Sequence, residues 1–181
     1  MTALIPPITR TIALVGLMGV GKSSIGRRLA ARLGLEFRDA DVEIEAAAGR
    51  SISEIFADFG EPAFREGERR VIARLLEEPP HVLATGGGAL TTPETRALLK
   101  ERAITVWLRA DLEVLARRIA RRDHRPLLIG RDPIEVLRAQ SAVREPFFAE
   151  ADIVVESGET LHHVAVESVV RALSDHLAVA P

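Results

Sequence analysis

The chain of 181 residues contains no cysteine, which excludes disulfides and every mechanism that depends on a thiol. Its apolar runs are too short to cross a bilayer, and its first residues lack the basic and then apolar pattern of a signal peptide. The formal net charge is only −2, which argues against a general nucleic-acid binder. We therefore expect a cytoplasmic protein that binds neither membranes nor nucleic acids.

Lysine is scarce, because 22 of the 24 basic residues are arginine. One of the two lysines, Lys22, lies in the segment GLMGVGKSS at residues 16–24, directly after the apolar run TIALV. This segment fits the phosphate-loop pattern G-x-x-x-x-G-K-[ST], whose fixed positions are Gly16, Gly21, Lys22 and Ser23. A predicted strand before the loop and a predicted helix after it supply the structural context that the pattern needs.

Each part of this pattern has a physical role in holding a nucleoside triphosphate. Glycine lets successive backbone N–H groups point into one cavity without side chains in the way. The lysine reaches the outer phosphates, the serine hydroxyl faces a magnesium ion, and the helix adds the positive end of its dipole. We therefore expect the triphosphate to be bound by Gly16, Gly19, Val20, Gly21, Lys22, Ser23 and Ser24.

Short apolar runs alternate along the chain with segments of helical period. The predicted strands are residues 11–16, 35–38, 82–85, 104–108 and 153–155. The predicted helices are residues 22–33, 42–48, 52–59, 63–76, 94–102, 112–122, 134–150 and 161–177, with a capping box at Ser51 and Glu54. This alternation predicts a single α/β domain, residues 1–181, with a parallel sheet between layers of helices. Ligands of such sheets bind at the carboxyl ends of the strands.

Two carboxylates, Asp39 and Asp41, follow the second predicted strand. Side chains two residues apart on an extended chain point to the same side. One could hold a magnesium ion through water, and the other could accept a proton or a hydrogen bond from a substrate hydroxyl. An N-cap role for Asp41 in the next helix is equally compatible with the sequence. A rival metal ligand, Asp111, follows the fourth strand, and we interpret it as an N-cap only.

Three consecutive glycines, Gly86, Gly87 and Gly88, follow the third predicted strand. They exceed what a turn requires and suit a place where the backbone comes close to a bound molecule. A plain loop would have the same composition, so the triplet alone leaves both possibilities open.

Two arginines in separate segments are candidates for binding an anion. Arg65 lies in FREGE, where Glu68 is placed to orient it, and Arg144 lies in VREPFF. Arginine binds carboxylates and phosphates through two parallel hydrogen bonds, so both side chains could hold one anionic substrate. A solvated surface position is the simpler explanation for most of the other arginines.

A basic segment near the phosphate site has the composition of a lid. Residues 109–144 contain nine arginines and five acids, and Pro126, Gly130 and Pro133 interrupt the helical period. This pattern predicts a mobile lid at about residues 120–133. We interpret His124 within it as incidental to the chemistry.

Taken together, the motifs resemble the shikimate kinase family. They follow one another in the family's order from about residue 12 to 177 as GLMGVGKSSIGRRLA, DADVEIEAAAGRSISEIF, GEPAFREGE, LATGGGAL, RPLL and R-x-P-F. The resemblance implies the P-loop nucleoside-monophosphate-kinase-like fold. Its three α/β/α layers contain a five-stranded parallel sheet, with a lid and a substrate-binding subdomain at about residues 39–70.

The resemblance also implies an activity and its partners. The family transfers the γ-phosphoryl group of ATP to the 3-hydroxyl of shikimate, with Mg²⁺, on the route to chorismate and the aromatic amino acids. The expected partners are therefore ATP and shikimate, and the expected state is a monomer. A gluconate- or nucleotide-type kinase would share the loop and lid, but we do not expect it to carry the DAD, FREGE and GGG motifs together. A regulatory switch would need a guanine-reading Asn-Lys-x-Asp motif, and the chain contains no asparagine.

The family pattern assigns roles to individual residues. It implies catalytic roles for Lys22, Asp41 and Arg125, and a magnesium site at Ser23 and Asp39, with Asp39 acting through water. It implies that shikimate is bound by Asp41, Phe56, Phe64, Arg65, Gly86, Gly87, Gly88 and Arg144. The two arginines would hold the substrate carboxylate. Phe56 and Phe64 would lie near the apolar side of the substrate pocket.

Two further arginines match nucleotide-binding positions of the family. Arg125 corresponds to the lid arginine on the phosphates, and Arg118 to an arginine that stacks on adenine. The segment ESGETLHH, residues 156–163, has no firm counterpart in the family, so we predict no base contact there.

Overall fold

Five parallel strands form one sheet in the computed structural model, which describes residues 6–121 and 130–179. The strands are β1 (Thr11–Val15), β2 (Phe37–Asp39), β3 (Val82–Ala84), β4 (Ala103–Arg109) and β5 (Ile153–Glu156). Their order across the sheet is β2-β3-β1-β4-β5. All five residues of β1 are buried, and because successive side chains point to opposite faces, both faces of the sheet are covered there. The predicted parallel sheet is confirmed.

Helices fill the connections between the strands. They are α1 (Lys22–Leu33), α2 (Ala40–Ala48), α3 (Ile52–Leu75), α4 (Pro93–Arg102), α5 (Leu112–Ala120), α6 (Pro133–Phe148) and α7 (His162–Val179). A short 3₁₀ turn, Ala89–Thr91, precedes α4. On β4, the buried Trp107 ring packs against Phe148 of α6, with 5.8 Å between the ring centroids. Among the described helices, none has both the length and the apolar composition that a membrane span requires.

The second strand begins later than the sequence predicts. The predicted strand starts at residue 35, whereas β2 starts at Phe37. Gly34 ends α1 in the left-handed conformation, and the N–H of Leu35 donates to the carbonyl oxygen of Ala30 at 2.9 Å. Leu35 therefore belongs to the C-terminal capping motif of α1, which local hydrophobicity does not reveal.

The N-cap of α2 is Asp39, so the alternative prediction of an N-cap at Asp41 is wrong. The Oδ1 atom of Asp39 accepts a hydrogen bond from the Asp41 N–H at 3.0 Å. The helix consequently begins at Ala40, two residues before the predicted start, and Asp41 lies in its first turn.

The third helix contains a kink where the sequence predicts two helices. Gly60 has φ 81° and ψ 174°, which are not helical values, and Pro62 follows it. The predicted capping box at the start of this helix is confirmed. The Glu54 N–H donates to Ser51 Oγ at 3.2 Å, and the Ser51 N–H donates to Glu54 Oε2 at 2.8 Å. The kink separates the part of α3 that carries Phe56 from the part that carries Arg65.

Candidate active site

The loop after β1 packs tightly between the sheet and α1. A Cβ on Gly16 would come within 2.5 Å of the Leu108 carbonyl oxygen of β4, so no larger residue fits there. The φ of Gly16 is 146°, which side-chain-bearing residues rarely adopt. The Lys22 ammonium donates hydrogen bonds to the carbonyl oxygens of Gly16 at 2.6 Å and Leu17 at 3.0 Å. The lysine is thus folded over the loop and lines the central cavity.

Two side chains, one from α5 and one from the segment between β5 and α7, donate hydrogen bonds to this loop. The Arg118 guanidinium of α5 donates to the carbonyl oxygens of Gly19 at 3.3 Å and Val20 at 3.4 Å, and also to that of Gly158. The buried Ser157 hydroxyl donates to the same Val20 carbonyl at 3.4 Å. These bonds fix the phosphate loop to the segment that leads from β5 into α7.

Oxygen donors from α1 and β2 meet beside the loop. The Ser23 hydroxyl donates to Asp39 Oδ2 at 2.6 Å, while the other oxygen of Asp39 caps α2. A hydroxyl and a carboxylate are ligands that Mg²⁺ takes, with the rest of its shell from water and phosphate. The residues present therefore fit the predicted magnesium site.

Two carboxylates border the first glycine of the triplet. A Cβ on Gly86 would lie 3.0 Å from Glu68 Oε2 and 3.1 Å from Asp41 Oδ1. Glu68 is fully buried, and its Oε1 accepts a hydrogen bond from Arg65 Nη1 at 2.7 Å. Its Oε2 has no hydrogen-bond partner among the residues that the structure describes. Burial raises the pKa of Glu68 above its ordinary value, against the opposing effect of Arg65.

The other two glycines make room for arginines. A Cβ on Gly88 would overlap the Arg65 guanidinium, and a Cβ on Gly87 would lie 3.3 Å from Arg144 Nη1. We call Arg65 and Arg144 the arginine pair. Burial, together with the nearby charge of Arg65, lowers the pKa of Arg144 below its ordinary value.

The two members of the arginine pair differ in their partners. Arg65 forms ion pairs with Glu68 at 2.7 Å and with Glu61 at 3.4 Å. Arg144 donates to the Gln140 side chain at 3.1 Å, and it forms no ion pair within the described residues. A half-buried guanidinium without an acidic partner is costly unless an anion binds to it.

One cavity of about 890 Å³ joins the phosphate loop to the arginine pair. Part of its wall is apolar, because Phe56 and Phe64 pack against each other with their ring centroids 4.6 Å apart. The cavity thus offers loop amides, a hydroxyl and carboxylate pair, two guanidinium groups and an aromatic surface. This combination suits a triphosphate next to a small anionic molecule with an apolar face.

The family model described as shikimate kinase matches residues 18–174 of the chain. The chain belongs to the shikimate kinase family. Among the relatives, the shikimate kinase of Caulobacter vibrioides (strain NA1000 / CB15N) is 66% identical over 170 residues, which cover 94% of this chain and 85% of that protein. The shikimate kinase of Paramagnetospirillum magneticum is 59% identical, with 94% and 87% covered. As a member of this family, the chain is an ATP-dependent kinase.

Solved structures support the same placement. A shikimate kinase from Acinetobacter baumannii in complex with shikimate has a TM-score of 0.85 and 38% identity, with 90% of this chain and 92% of that chain covered. A gluconokinase from Sinorhizobium meliloti has a TM-score of 0.62 at 18% identity, covering 96% and 98%, which shows a shared fold alone. The predicted P-loop nucleoside-monophosphate-kinase-like fold is confirmed.

The structure brings most of the predicted site residues of this shikimate kinase family member to one cavity. Those that line it are Gly19, Gly21, Lys22, Ser23, Ser24, Asp39, Asp41, Phe56, Phe64, Arg65, Gly86, Gly87, Gly88, Arg118 and Arg144. Gly16 and Val20 do not line it. Arg125 and His124 lie outside the described residues, as does most of the predicted lid, so these predictions stay predictions.

Asp111, the rival metal ligand, does not line the cavity. It occupies the predicted N-cap position of α5, but its side chain makes no capping hydrogen bond.

Sequence reasoning missed several residues that line the cavity of the family member, among them Gln140, Arg121 and His162. Gln140, the hydrogen-bond partner of Arg144, lies four residues before it on α6, a spacing that the sequence could have revealed. Arg121 and His162 also line the cavity, and a Cβ on Gly21 would lie 3.7 Å from His162 Nε2. No sequence motif indicates that Arg121 and His162 line the cavity, because their positions depend on how α5 and α7 pack beside the phosphate loop.

Proposed function

We propose that this chain transfers the γ-phosphoryl group of ATP to the 3-hydroxyl of shikimate, giving shikimate 3-phosphate and ADP. The observation that carries this proposal is the arginine pair. Two guanidinium groups converge over the glycine triplet, and Arg144 has no acidic partner in the described chain. A substrate carboxylate would supply the missing anion and accept hydrogen bonds from both arginines.

The phosphate loop would bind and polarise the triphosphate. The loop amides and the N-terminus of α1 favour negative charge, and the Lys22 ammonium lies over the same loop. Ser23 and Asp39 would hold Mg²⁺, which when bound neutralises charge on the phosphate oxygens. On phosphoryl transfer Lys22 would then stabilise the charge that spreads over the oxygens of the transferred group.

Asp41 would orient the attacking hydroxyl and accept its proton. Its carboxylate borders Gly86 and lines the cavity that joins the phosphate loop to the arginine pair. A hydroxyl held there by this acceptor would be oriented toward the triphosphate, as displacement at the γ-phosphorus requires. We propose that Arg125 adds a cation to the phosphates and that the 120–133 lid excludes water during the reaction.

The proposed setting follows from the substrates. We propose that the enzyme acts as a monomer in the cytoplasm on freely diffusing ATP and shikimate, without nucleic-acid or membrane partners.

The test measures kcat/KM for shikimate and for its carboxamide analogue in the wild type and in Arg144→Ala. The wild type should strongly prefer the acid. The variant should lose about 2–5 kcal/mol of transition-state binding with shikimate, because Arg65 alone then faces the carboxylate. Arg138→Ala is the matched control, since Arg138 is an exposed arginine on the same helix. Equal use of acid and amide by the wild type would show that the arginine pair does not bind a substrate carboxylate.

A further inference from the structure

A second, smaller cavity of about 210 Å³ lies between the 3₁₀ turn, α4 and α6, and Arg96 lines it. Arg96 belongs to α4 and does not line the central cavity. Its side chain nevertheless contacts both segments that support the arginine pair.

The first contact is with the 3₁₀ turn. Arg96 Nη1 donates to the carbonyl oxygens of Leu90 at 2.6 Å and Thr91 at 3.3 Å. The turn is a direct continuation of the glycine triplet, since the Thr91 N–H and hydroxyl donate to the Gly88 carbonyl at 3.0 Å and 2.7 Å. The Arg65 guanidinium packs against Gly88, in the space that a side chain there would fill. Arg96 thus bonds to the segment that sets the position of Arg65.

The second contact is with α6. The Cζ atom of Arg96 lies 4.0 Å from the centroid of the Phe147 ring, within cation–π distance. Phe147 follows Arg144 by three residues on this helix, so both lie on one face. A planar guanidinium can donate in its plane to the turn while its face covers the ring, which an ammonium cannot do.

We infer that Arg96 is a positioning residue, which sets the distance between Arg65 and Arg144 by joining the 3₁₀ turn to α6. The inference rests on the proposed function, because the arginine pair matters only if it binds a substrate carboxylate. Displacement by about 1 Å of a group that holds a substrate costs up to ~10²-fold in rate. A contact outside the cavity therefore controls substrate binding without touching the substrate.

The test compares Arg96→Met with Arg102→Met, a partly exposed arginine of the same helix whose ion pair with Glu77 is 4.0 Å long. Arg96→Met should raise KM for shikimate about tenfold, with KM for ATP and the ATP hydrolysis seen without shikimate unchanged within about twofold. Arg102→Met should leave all three unchanged. Arg96→Lys should fall between the wild type and Arg96→Met, because it keeps a donor but loses the stacked plane.

A double-mutant cycle separates positioning from general support of the fold. Arg96→Met should lower kcat/KM for shikimate by one factor in the wild type and by a smaller factor in an Arg144→Ala background. The second factor should be smaller than the first by at least about threefold, because one of the two arginines that Arg96 positions is then absent. Fully additive losses, or equal rises in KM for ATP and shikimate, would overturn the inference. If Arg96→Met does not fold, the same cycle with Arg96→Lys decides. A wild type that does not phosphorylate shikimate would refute the proposed function as well, whereas an Arg96→Met indistinguishable from Arg102→Met refutes this inference alone.

Discussion

At the scale of single residues, the glycine triplet serves the arginines more directly than the substrate. The Arg65 guanidinium occupies the space that a side chain on Gly88 would fill, and Arg144 lies just beyond Gly87. Gly88 has φ −108°, so its backbone conformation is open to any residue. The requirement for glycine at this position is therefore one of space.

Gly88→Ala should displace Arg65 and lower kcat/KM for shikimate about 10–100-fold, with KM for ATP unchanged. Gly67→Ala is the control, because Gly67 lies on α3 two residues from Arg65 and a Cβ there meets nothing within 4 Å. That variant should keep full activity and gain about 0.5–1 kcal/mol in the free energy of unfolding. Steady-state kinetics with each substrate varied in turn measure the effect. Full activity of Gly88→Ala would mean that Arg65 can move aside without loss.

Because of Glu68, we expect the activity of the enzyme and the stability of its fold to change with pH in opposite directions. Burial raises the pKa of its carboxyl group above the ordinary 4.5, while its Oε1 accepts a hydrogen bond from Arg65 at 2.7 Å. A raised pKa in the folded state means that the folded protein binds this proton more tightly than the unfolded chain. The stability contributed by protonated Glu68 is complete below pH 4.5 and is lost as the pH rises through the folded-state pKa. Activity should change in the other direction, because the charged form orients Arg65.

Glu68→Gln should therefore remove part of the fall in kcat/KM for shikimate on the acid side of the pH profile, and it should lower the plateau. The free energy of unfolding of the wild type, relative to this variant, should decrease as the pH rises above 4.5. Glu66→Gln is the control on the same helix. Two arginines lower the pKa of Glu66 to about 2, so its stabilising effect is lost as the pH falls. The measurements are the free energy of unfolding in urea and kcat/KM for shikimate, each as a function of pH. If both quantities depend on pH in the same way in the wild type and in Glu68→Gln, this account is wrong.

At the scale of elements, the kink in α3 shapes the apolar side of the cavity. Phe56 precedes Gly60, whereas Phe64 follows it, and the two rings meet at 4.6 Å. The φ and ψ of Gly60, 81° and 174°, fall in a region that is essentially restricted to glycine. The two halves of α3 could not take this relative direction with another residue at the bend without strain.

Gly60→Ala should cost about 1–3 kcal/mol in the free energy of unfolding, because the substituted residue must adopt a strained conformation. KM for shikimate should rise as Phe56 and Arg65 lose their relative positions, whereas KM for ATP should not. Urea unfolding monitored by circular dichroism measures the first effect, and Gly67→Ala on the same helix again serves as the control. A variant as stable as the wild type would show that the bend does not depend on the glycine.

Elements also differ in how far the sequence predicts them. The strand and the helix that flank the phosphate loop could be predicted, because glycine spacing and hydrophobic pattern are local features. The residue pattern alone does not separate Asp39 from Asp41, and only the resemblance to the family implies different roles for them. The contact that distinguishes Asp39 is its hydrogen bond from Ser23, which lies on another element. Nor could the burial of Glu68 and the contact of Arg65 with Gly88 be predicted, because both arise from packing between α3 and the glycine triplet. Local patterns therefore predict candidate site residues, while the contacts between these residues depend on tertiary packing.

At the scale of the whole molecule, strand order explains why distant segments form one site. The alternation of elements predicts a parallel sheet, but it does not predict the order β2-β3-β1-β4-β5. In this order the loops after β1, β2 and β3 are neighbours, since Leu14 and Asp39 both pair with Ala84. The phosphate loop, the carboxylates and the glycine triplet therefore emerge side by side at the carboxyl edge of the sheet. Helices α3 and α6 then contribute Arg65 and Arg144 to that edge.

The packing of Trp107 against Phe148 has a spectroscopic consequence. Trp107 is the single tryptophan of a chain without tyrosine, so ultraviolet emission excited near 280 nm comes from one buried ring on β4. That ring lies against α6, the helix that carries Arg144, rather than in the cavity itself. Intrinsic fluorescence is thus a probe of the contact between the sheet and the helix that carries Arg144. A shift in its emission maximum would report a change in the polarity around this ring, at the contact between β4 and the helix that carries Arg144.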